Sequence, residues 1–338
     1  METSVSPAWA GHMDEALRLA VDPQAPRGEN PRVGCVILDS AGIVVGRGFH
    51  RGAGTAHAEV VALEEAGAAA RGGTAFVTLE PCRHQGRTGP CTAALIAAGI
   101  DRVIFAQVDP TLLAGGGGHE LSSAGIEVIG EFKAPEAIAI NSEWTTSMMM
   151  GRPFVIAKTA MSLDGRVAGP QGEQLTISGP AAQVRAHQIR SQVQAIIVGT
   201  GTVLTDDPEL TVRHGVELVG DPPLRVVMGS RDISRKARIH NTAAPTWCSG
   251  TRSPDEVLAE LFERGIRVVL LEGGPTLIGA FMSAGLVDRW VWFISPLLIG
   301  EGPTAMASMS TVVGVDVVDV CVLGEDVTIT AERRNTGS

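Results

Sequence analysis

The chain has no run of about eighteen uncharged apolar residues, the length that a membrane-spanning helix requires. Its opening residues, Met1-Glu2-Thr3-Ser4-Val5-Ser6-Pro7, lack a basic stretch followed by an apolar one, and the expectation is a cytoplasmic protein. Positive charge is scarce: 27 Lys and Arg against 37 Asp and Glu leave a formal charge of -10. That balance argues against a broad basic face for nucleic acid, so any anionic substrate must be met by local cations. The five cysteines (Cys35, Cys82, Cys91, Cys248, Cys321) are odd in number and scattered, which suits a reduced compartment better than a disulfide framework. There is no internal repeat, and no G-x-G-x-x-G in the second half to indicate a Rossmann dinucleotide site. The run Gly115-Gly116-Gly117-Gly118 lacks the lysine and the serine or threonine of a P-loop, and a flexible loop is expected there.

What the chain does have is length and apolar content. At 338 residues and 44% hydrophobic it can fill two ordinary cores, and length favours two domains. Residues 12–21 carry apolar side chains at helical spacing. Apolar runs at 33–38 and 43–49, separated by Asp39-Ser40-Ala41-Gly42, predict a hairpin. A helix over 58–70, a strand over 74–79, a helix over 92–98 and strands at 101–108 and 127–129 follow, an alternation that describes an α/β layer sandwich. Regularity lapses over 141–153, taken as the junction between domains at 1–150 and 151–338. Beyond it the pattern predicts a strand from Phe154, a helix from about 180 to 192, and strands at 195–198, 224–228 and 268–271. A further helix opens at Pro275, a position where the missing N–H costs nothing. Gly273-Gly274-Pro275 is either an anion site at that helix start or an ordinary tight strand-to-helix turn.

Chemistry concentrates at His57-Ala58-Glu59, Pro81-Cys82 and Pro90-Cys91. One imidazole and two thiolates are three ligands for a catalytic zinc, with the fourth position left open for water. His57 begins a helix, Cys82 ends a strand and Cys91 begins another helix, so Cys91 stands where a thiolate is stabilised. Glu59 has no ligand role in this scheme and would move protons. H-x-E followed by P-C-x-x-C is the pattern of zinc deaminases; here residues 83–90 separate the two cysteines, a longer loop. That loop, with Arg83, His84 and Arg87, reads either as a solvated turn or as a lid touching an anionic substrate. On these residues alone a deaminase of free nucleosides or tRNA, or a structural zinc clip, also stays open.

Taken together the motifs resemble a known family, the bifunctional riboflavin-pathway deaminase/reductases of the RibD or RibG type. The first half carries Asn30-Pro31-Arg32-Val33-Gly34-Cys35-Val36, His57-Ala58-Glu59 and Thr78-Leu79-Glu80-Pro81-Cys82. The second carries the stretches 157–166, 202–213 and 272–277 in the family's order. The resemblance implies a cytidine-deaminase-like N-terminal α/β/α sandwich and a dihydrofolate-reductase-like C-terminal α/β domain that uses NADPH. It implies zinc-dependent deamination of 2,5-diamino-6-(5-phosphoribosylamino)pyrimidin-4(3H)-one, then reduction of the ribosyl unit to ribityl. It also implies a homodimer or higher homo-oligomer. By the same resemblance Ala160, Thr176, Thr202, Asp206, Ser230 and the turn Gly274, Pro275, Thr276, Leu277, Ile278, Gly279 and Ala280 lie against NADPH. Asn30 would hold the pyrimidine; Lys158, Gln174, Arg190, Leu210, Arg213 and Glu272 would face substrate, the arginines suiting its phosphate. Lys158 and Asp206 are the candidates for polarising or protonating the opening sugar, the alternative being an ordinary surface ion pair between them. The chain departs from the family at Arg83 and Gln85, at Gln174, where serine is common, at Thr176-Ile177-Ser178, where Trp-Ile-Thr is common, and at Gly229, where aspartate often precedes Ser230.

Overall fold

Alternating burial along short apolar strands builds the first sheet. The computed structural model describes residues 7–26, 28–85, 89–111, 114–214, 217–218, 222–306 and 312–334. Its contacts divide the chain into two units, Met1–Met150 and Gly151–Ser338. In the first, strands β1 (Gly34–Leu38), β2 (Val44–Phe49), β3 (Thr74–Leu79), β4 (Arg102–Gln107) and β5 (Glu127–Ile129) form a sheet of order β2-β1-β3-β4-β5. The β1–β2 and β1–β3 pairs are antiparallel; β3, β4 and β5 run parallel. Cys35, Ile37, Val77 and Val103 face one side, with α2 (Ala58–Ala66) and α3 (Cys91–Ala98). Val36, Leu38, Phe76 and Ile104 face the other, against α1 (Pro7–Ala20). The period of two thus yields the expected α/β/α sandwich. Glycine sets how closely its helices lie. A Cβ at Gly48 would come 2.1 Å from the Ala58 carbonyl oxygen, so α2, which carries the acidic Glu59, rests directly on β2.

Two expectations need correcting. The glycine run is not a flexible loop: Gly116, at φ +89°, caps α4 (Gly117–Ser123), and a Cβ at Gly117 would sit 1.8 Å from the Pro81 carbonyl oxygen. The amides of Gly116 and Gly118 donate to Glu80 Oε1 at 3.1 and 2.9 Å, so the run packs against the residues that precede Cys82. The stretch 141–153 is not irregular throughout either. It follows α5 (Ala134–Ile140) and contains α6 (Ser142–Met150), whose buried residues are only Trp144 and Ser147, too few to show a helical stripe in the sequence.

The second unit is an eight-stranded mixed sheet. Its elements are β6 (Phe154–Ser162), α7 (Pro180–Arg190), β7 (Ala195–Gly199), α8 (Thr200–Asp206), the two-residue strands β8 (Arg213–His214) and β9 (Glu217–Leu218), β10 (Leu224–Met228) and β11 (Thr246–Cys248). Then come α9 (Pro254–Glu263), β12 (Val268–Leu271), α10 (Pro275–Ser283), β13 (Arg289–Ser295), β14 (Val315–Leu323) and β15 (Asp326–Arg333). The order is β11-β10-β7-β12-β6-β13-β15-β14, parallel from β11 through β13 and antiparallel beyond. Central strands are buried on both faces: Ile197 and Leu271 pack with α9 and α10, while Ile196 and Leu270 pack with α7 and α8. That double burial explains their unbroken apolar runs. No helix among the described residues is long and apolar enough to cross a membrane.

Candidate active sites

In the first unit His57, the residue before α2, Cys82, beyond β3, and Cys91, opening α3, converge. His57 Nδ1 lies 3.1 Å from Cys91 Sγ and 3.5 Å from Cys82 Sγ, and the sulfurs are 3.4 Å apart. Those separations approximate the edges of a tetrahedron with arms of about 2.0–2.3 Å, so the trio fits zinc. Its protonation fits too. A hydrogen bond from the Cys91 thiol, and then one with His57, draws Cys82 down to about 4 against the opposing effect of burial. Cys91 is pushed up by that same bond and by burial. One proton held between two sulfurs is what a divalent cation displaces. Glu59 stands apart from the ligand set, beside the Cys91 sulfur and only 3% exposed, and burial pushes its carboxyl up to about 7.

Asn30 is placed by a chain of hydrogen bonds. Its Nδ2 lies 2.9 Å from His50 Nε2, and His50 Nδ1 lies 3.2 Å from the Ala56 carbonyl oxygen. The His50 ring meets His57 edge-on at 5.3 Å. The backbone around Asn30 is gripped from the end of the unit: Asn141 exchanges two 2.9 Å hydrogen bonds with the Arg32 backbone, and Trp144 Nε1 donates to the Glu29 carbonyl at 3.0 Å. Sequence reading missed His50, Asn141 and Trp144. A lone histidine and two residues in an apparently irregular stretch carry no pattern. Of the loop 83–90, residues 86–88 lie outside the described residues, Arg87 among them.

The second unit holds a cavity of about 1340 Å³ at the carboxyl ends of the parallel strands, where open α/β sheets bind ligands. Of the expected NADPH contacts, Ala160, Thr176, Thr202, Asp206, Gly274, Pro275, Thr276, Leu277, Ile278 and Ala280 line it; Ser230 and Gly279 are adjacent in sequence to lining residues. Of the expected substrate contacts, Lys158, Gln174 and Glu272 line it. Arg190, Leu210 and Arg213 do not. Arg190 is held by a bidentate ion pair with Glu272, at 2.6 and 2.7 Å. Leu210 is buried at φ +50°, and Arg213 bonds Thr211 and Glu209. Burial works against the Glu272 charge, yet Arg190, Lys158 and His187 outweigh it and bring the carboxyl down to about 2. Burial lowers Lys158, opposed by Glu272. Lys158 and Asp206 are not partners: Lys158 neighbours Glu272, whereas Asp206 accepts a 2.5 Å hydrogen bond from Gln174.

Comparison with known proteins follows the same division. Residues 10–107 match the cytidine and deoxycytidylate deaminase zinc-binding region, and residues 153–329 match the RibD C-terminal domain. The riboflavin biosynthesis protein RibD of Mycobacterium tuberculosis is 44% identical over 300 residues, covering 87% of this chain and 88% of that protein. Its counterpart in Escherichia coli K12 is 37% identical over 333 residues, covering 88% and 90%. Among solved structures, Acinetobacter baumannii RibD superposes with a TM-score of 0.86 at 33% identity, covering 97% of this chain and 100% of that one. A diaminohydroxyphosphoribosylaminopyrimidine deaminase/5-amino-6-(5-phosphoribosylamino)uracil reductase from Thermotoga maritima gives 0.85 at 30% identity, covering 97% and 99%.

Proposed function

This chain belongs to the RibD family of riboflavin biosynthesis proteins, and on that premise we propose how its two units divide a deamination and a reduction. Residues 1–150 deaminate 2,5-diamino-6-(5-phosphoribosylamino)pyrimidin-4(3H)-one. Residues 151–338 reduce 5-amino-6-(5-phosphoribosylamino)uracil to its ribitylamino counterpart with NADPH. The observation that carries this reading is the convergence of His57, Cys82 and Cys91 beside a buried glutamate that is not a ligand.

His57, Cys82 and Cys91 hold zinc, which when bound acts as a Lewis acid and lowers the pKa of water. Asn30 meets the pyrimidine through its amide, which His50 orients. Glu59 takes a proton from the water that adds to the amidine carbon and gives it to the departing amino nitrogen. One water enters, one ammonia leaves and a ring carbonyl remains. In the other unit NADPH supplies the hydride, and the turn from Gly274 into α10 receives its phosphates. Lys158 gives the one proton that accompanies the hydride, to the oxygen released as the sugar ring opens, Asp206 polarises that sugar, and Glu272 keeps Lys158 charged. Zinc-loaded protein given the diaminopyrimidine phosphate is expected to release one ammonia and oxidise one NADPH per substrate. Zinc-replete protein that does neither refutes the assignment.

The partner of this chain is a second copy of itself. Among the described residues strand β14 pairs only with β15, and Val317, Val318, Val320 and Val322 on it are each 55–69% exposed. A long apolar edge of this kind is a template for strand pairing. Sedimentation is expected to give twice the 35.2 kDa chain mass, and Val320→Lys to shift it toward monomer. A monomeric wild type would rule this interface out.

A further inference from the structure

One of the three metal ligands has no helix or strand to hold it. Cys91 opens α3 and His57 stands at the start of α2, but Cys82 lies in irregular chain beyond the end of β3. Its sulfur is nevertheless placed 3.4 Å from Cys91 Sγ. A segment of that kind is positioned by what it bonds to, and the bonds concentrate on Glu80. The Glu80 side chain is 6% exposed, and among the described residues it pairs with no cation. Three backbone N–H groups from beyond β4 take its oxygens instead: Asp109 donates to Oε2 at 3.2 Å, and Gly116 and Gly118 donate to Oε1 at 3.1 and 2.9 Å. A Cβ at Gly118 would crowd that same oxygen, at 3.3 Å, and the Phe105 ring, at 3.1 Å.

The ligand segment is tied on each side of this carboxylate. The Glu80 amide donates to the Gln107 carbonyl at 2.8 Å, the Arg83 amide to the Ala114 carbonyl at 3.4 Å, and the Thr92 amide to the Cys82 carbonyl at 3.2 Å. The last of these joins the two cysteine segments directly. Asp109, itself buried, accepts from the Thr111 amide and hydroxyl at 2.8 and 2.7 Å, so one donor to Glu80 belongs to a turn that is already closed. Burying a carboxylate costs free energy, and an apolar side chain against Phe105 would fill the space without that cost. What the carboxylate adds is direction, because charge-assisted hydrogen bonds are both strong and oriented. The group that needs direction is the sulfur two residues on. We propose that Glu80 is a positioning residue for the metal centre: it locks residues 80–83 onto the turn at 114–118, so that Cys82 stands opposite Cys91 and His57 before the ion arrives. Without it the chain must order Cys82 as the metal binds, and that ordering appears as weaker affinity. The inference rests on the zinc assignment above.

The test is zinc affinity of the full chain, measured by competition with a chromogenic chelator, with visible absorption of the cobalt(II)-loaded protein as a second readout. Glu80→Gln keeps the shape but turns an amide N–H toward one of the backbone donors, and it is expected to weaken zinc by roughly 10- to 100-fold. Gly118→Ala crowds Oε1 from the other side and should weaken zinc in the same direction by a smaller factor. Cobalt at saturation should show the intense bands of a tetrahedral thiolate site in each variant, because the ligands are the same. Met13→Ala, a core truncation on the opposite face of the sheet, is the control: it should lower the melting temperature while zinc affinity stays within about twofold. Unchanged zinc affinity in Glu80→Gln overturns the proposal; if that variant does not fold, unchanged affinity in Gly118→Ala does so. Equal weakening in Met13→Ala overturns it as well, since Glu80 would then contribute stability alone. An altered cobalt spectrum at saturation also overturns it, because the ligand set itself would have changed. Wild type that takes up no zinc refutes the zinc assignment beneath it.

Discussion

Glu59→Gln is expected to lower the deamination rate by roughly 10²- to 10⁴-fold, the range that a positioned general acid–base supplies. The substitution keeps the shape of a side chain that is 3% exposed, and it leaves His57, Cys82 and Cys91 themselves unchanged. Zinc content by metal analysis should therefore stay at one ion per chain, and NADPH oxidation with the deaminated substrate should continue at the wild-type rate. Those two controls separate loss of proton transfer from loss of fold. Full deaminase activity in the variant would remove Glu59 from the mechanism. Loss of zinc would instead make it part of the metal site.

Arg190→Met is expected to destabilise the second unit by about 3–5 kcal/mol, because it leaves a buried carboxylate without its partner. The pair is bidentate, with side-chain exposures of 17% for Arg190 and 7% for Glu272, so solvent screens it little. Urea denaturation at neutral pH, followed by tryptophan fluorescence, measures the loss. Arg190→Met/Glu272→Leu should recover most of it, since replacing both charges removes the orphan. A loss below about 1 kcal/mol in the single variant would show that the pair behaves as an exposed one. The same pair predicts an acid limit. Folding brings Glu272 from the ordinary glutamate value of 4.5 down to about 2. Its contribution is thus fully present above about 4.5 and is lost as the pH falls toward 2. Arg190→Met should abolish that part of the acid dependence.

Much of the architecture could be read from the residues. The mostly apolar runs at 74–79, 224–228 and 268–271 became strands because a layered sheet buries both of their faces. The zinc trio was legible because ligand chemistry restricts residue type and because a strand end and two helix starts bring the ligands together. The strands over 289–333 were not anticipated. β14 has the composition of an interior strand, Val-Asp-Val-Val-Asp-Val-Cys-Val-Leu, yet lies exposed at the sheet edge. α6 escaped because a helix that buries only Trp144 and Ser147 leaves no periodic stripe. Among the arginines, sequence does not say which ones the protein itself neutralises. Arg190 and Arg213 were expected at the substrate and are held by glutamates, whereas Arg231 and Arg252 drew no notice and are unopposed.

The hydrogen bonds from Asn141 and Trp144 to the backbone at Arg32 and Glu29 bear on how the first unit is assembled during synthesis. Every metal ligand has left the ribosome once Cys91 emerges, and the zinc-binding region that this chain matches ends at residue 107. The segment that presents Asn30 acquires its anchors only after residue 144. On the roles proposed for these residues, a nascent chain gains the means to hold its metal well before it gains the means to hold its substrate.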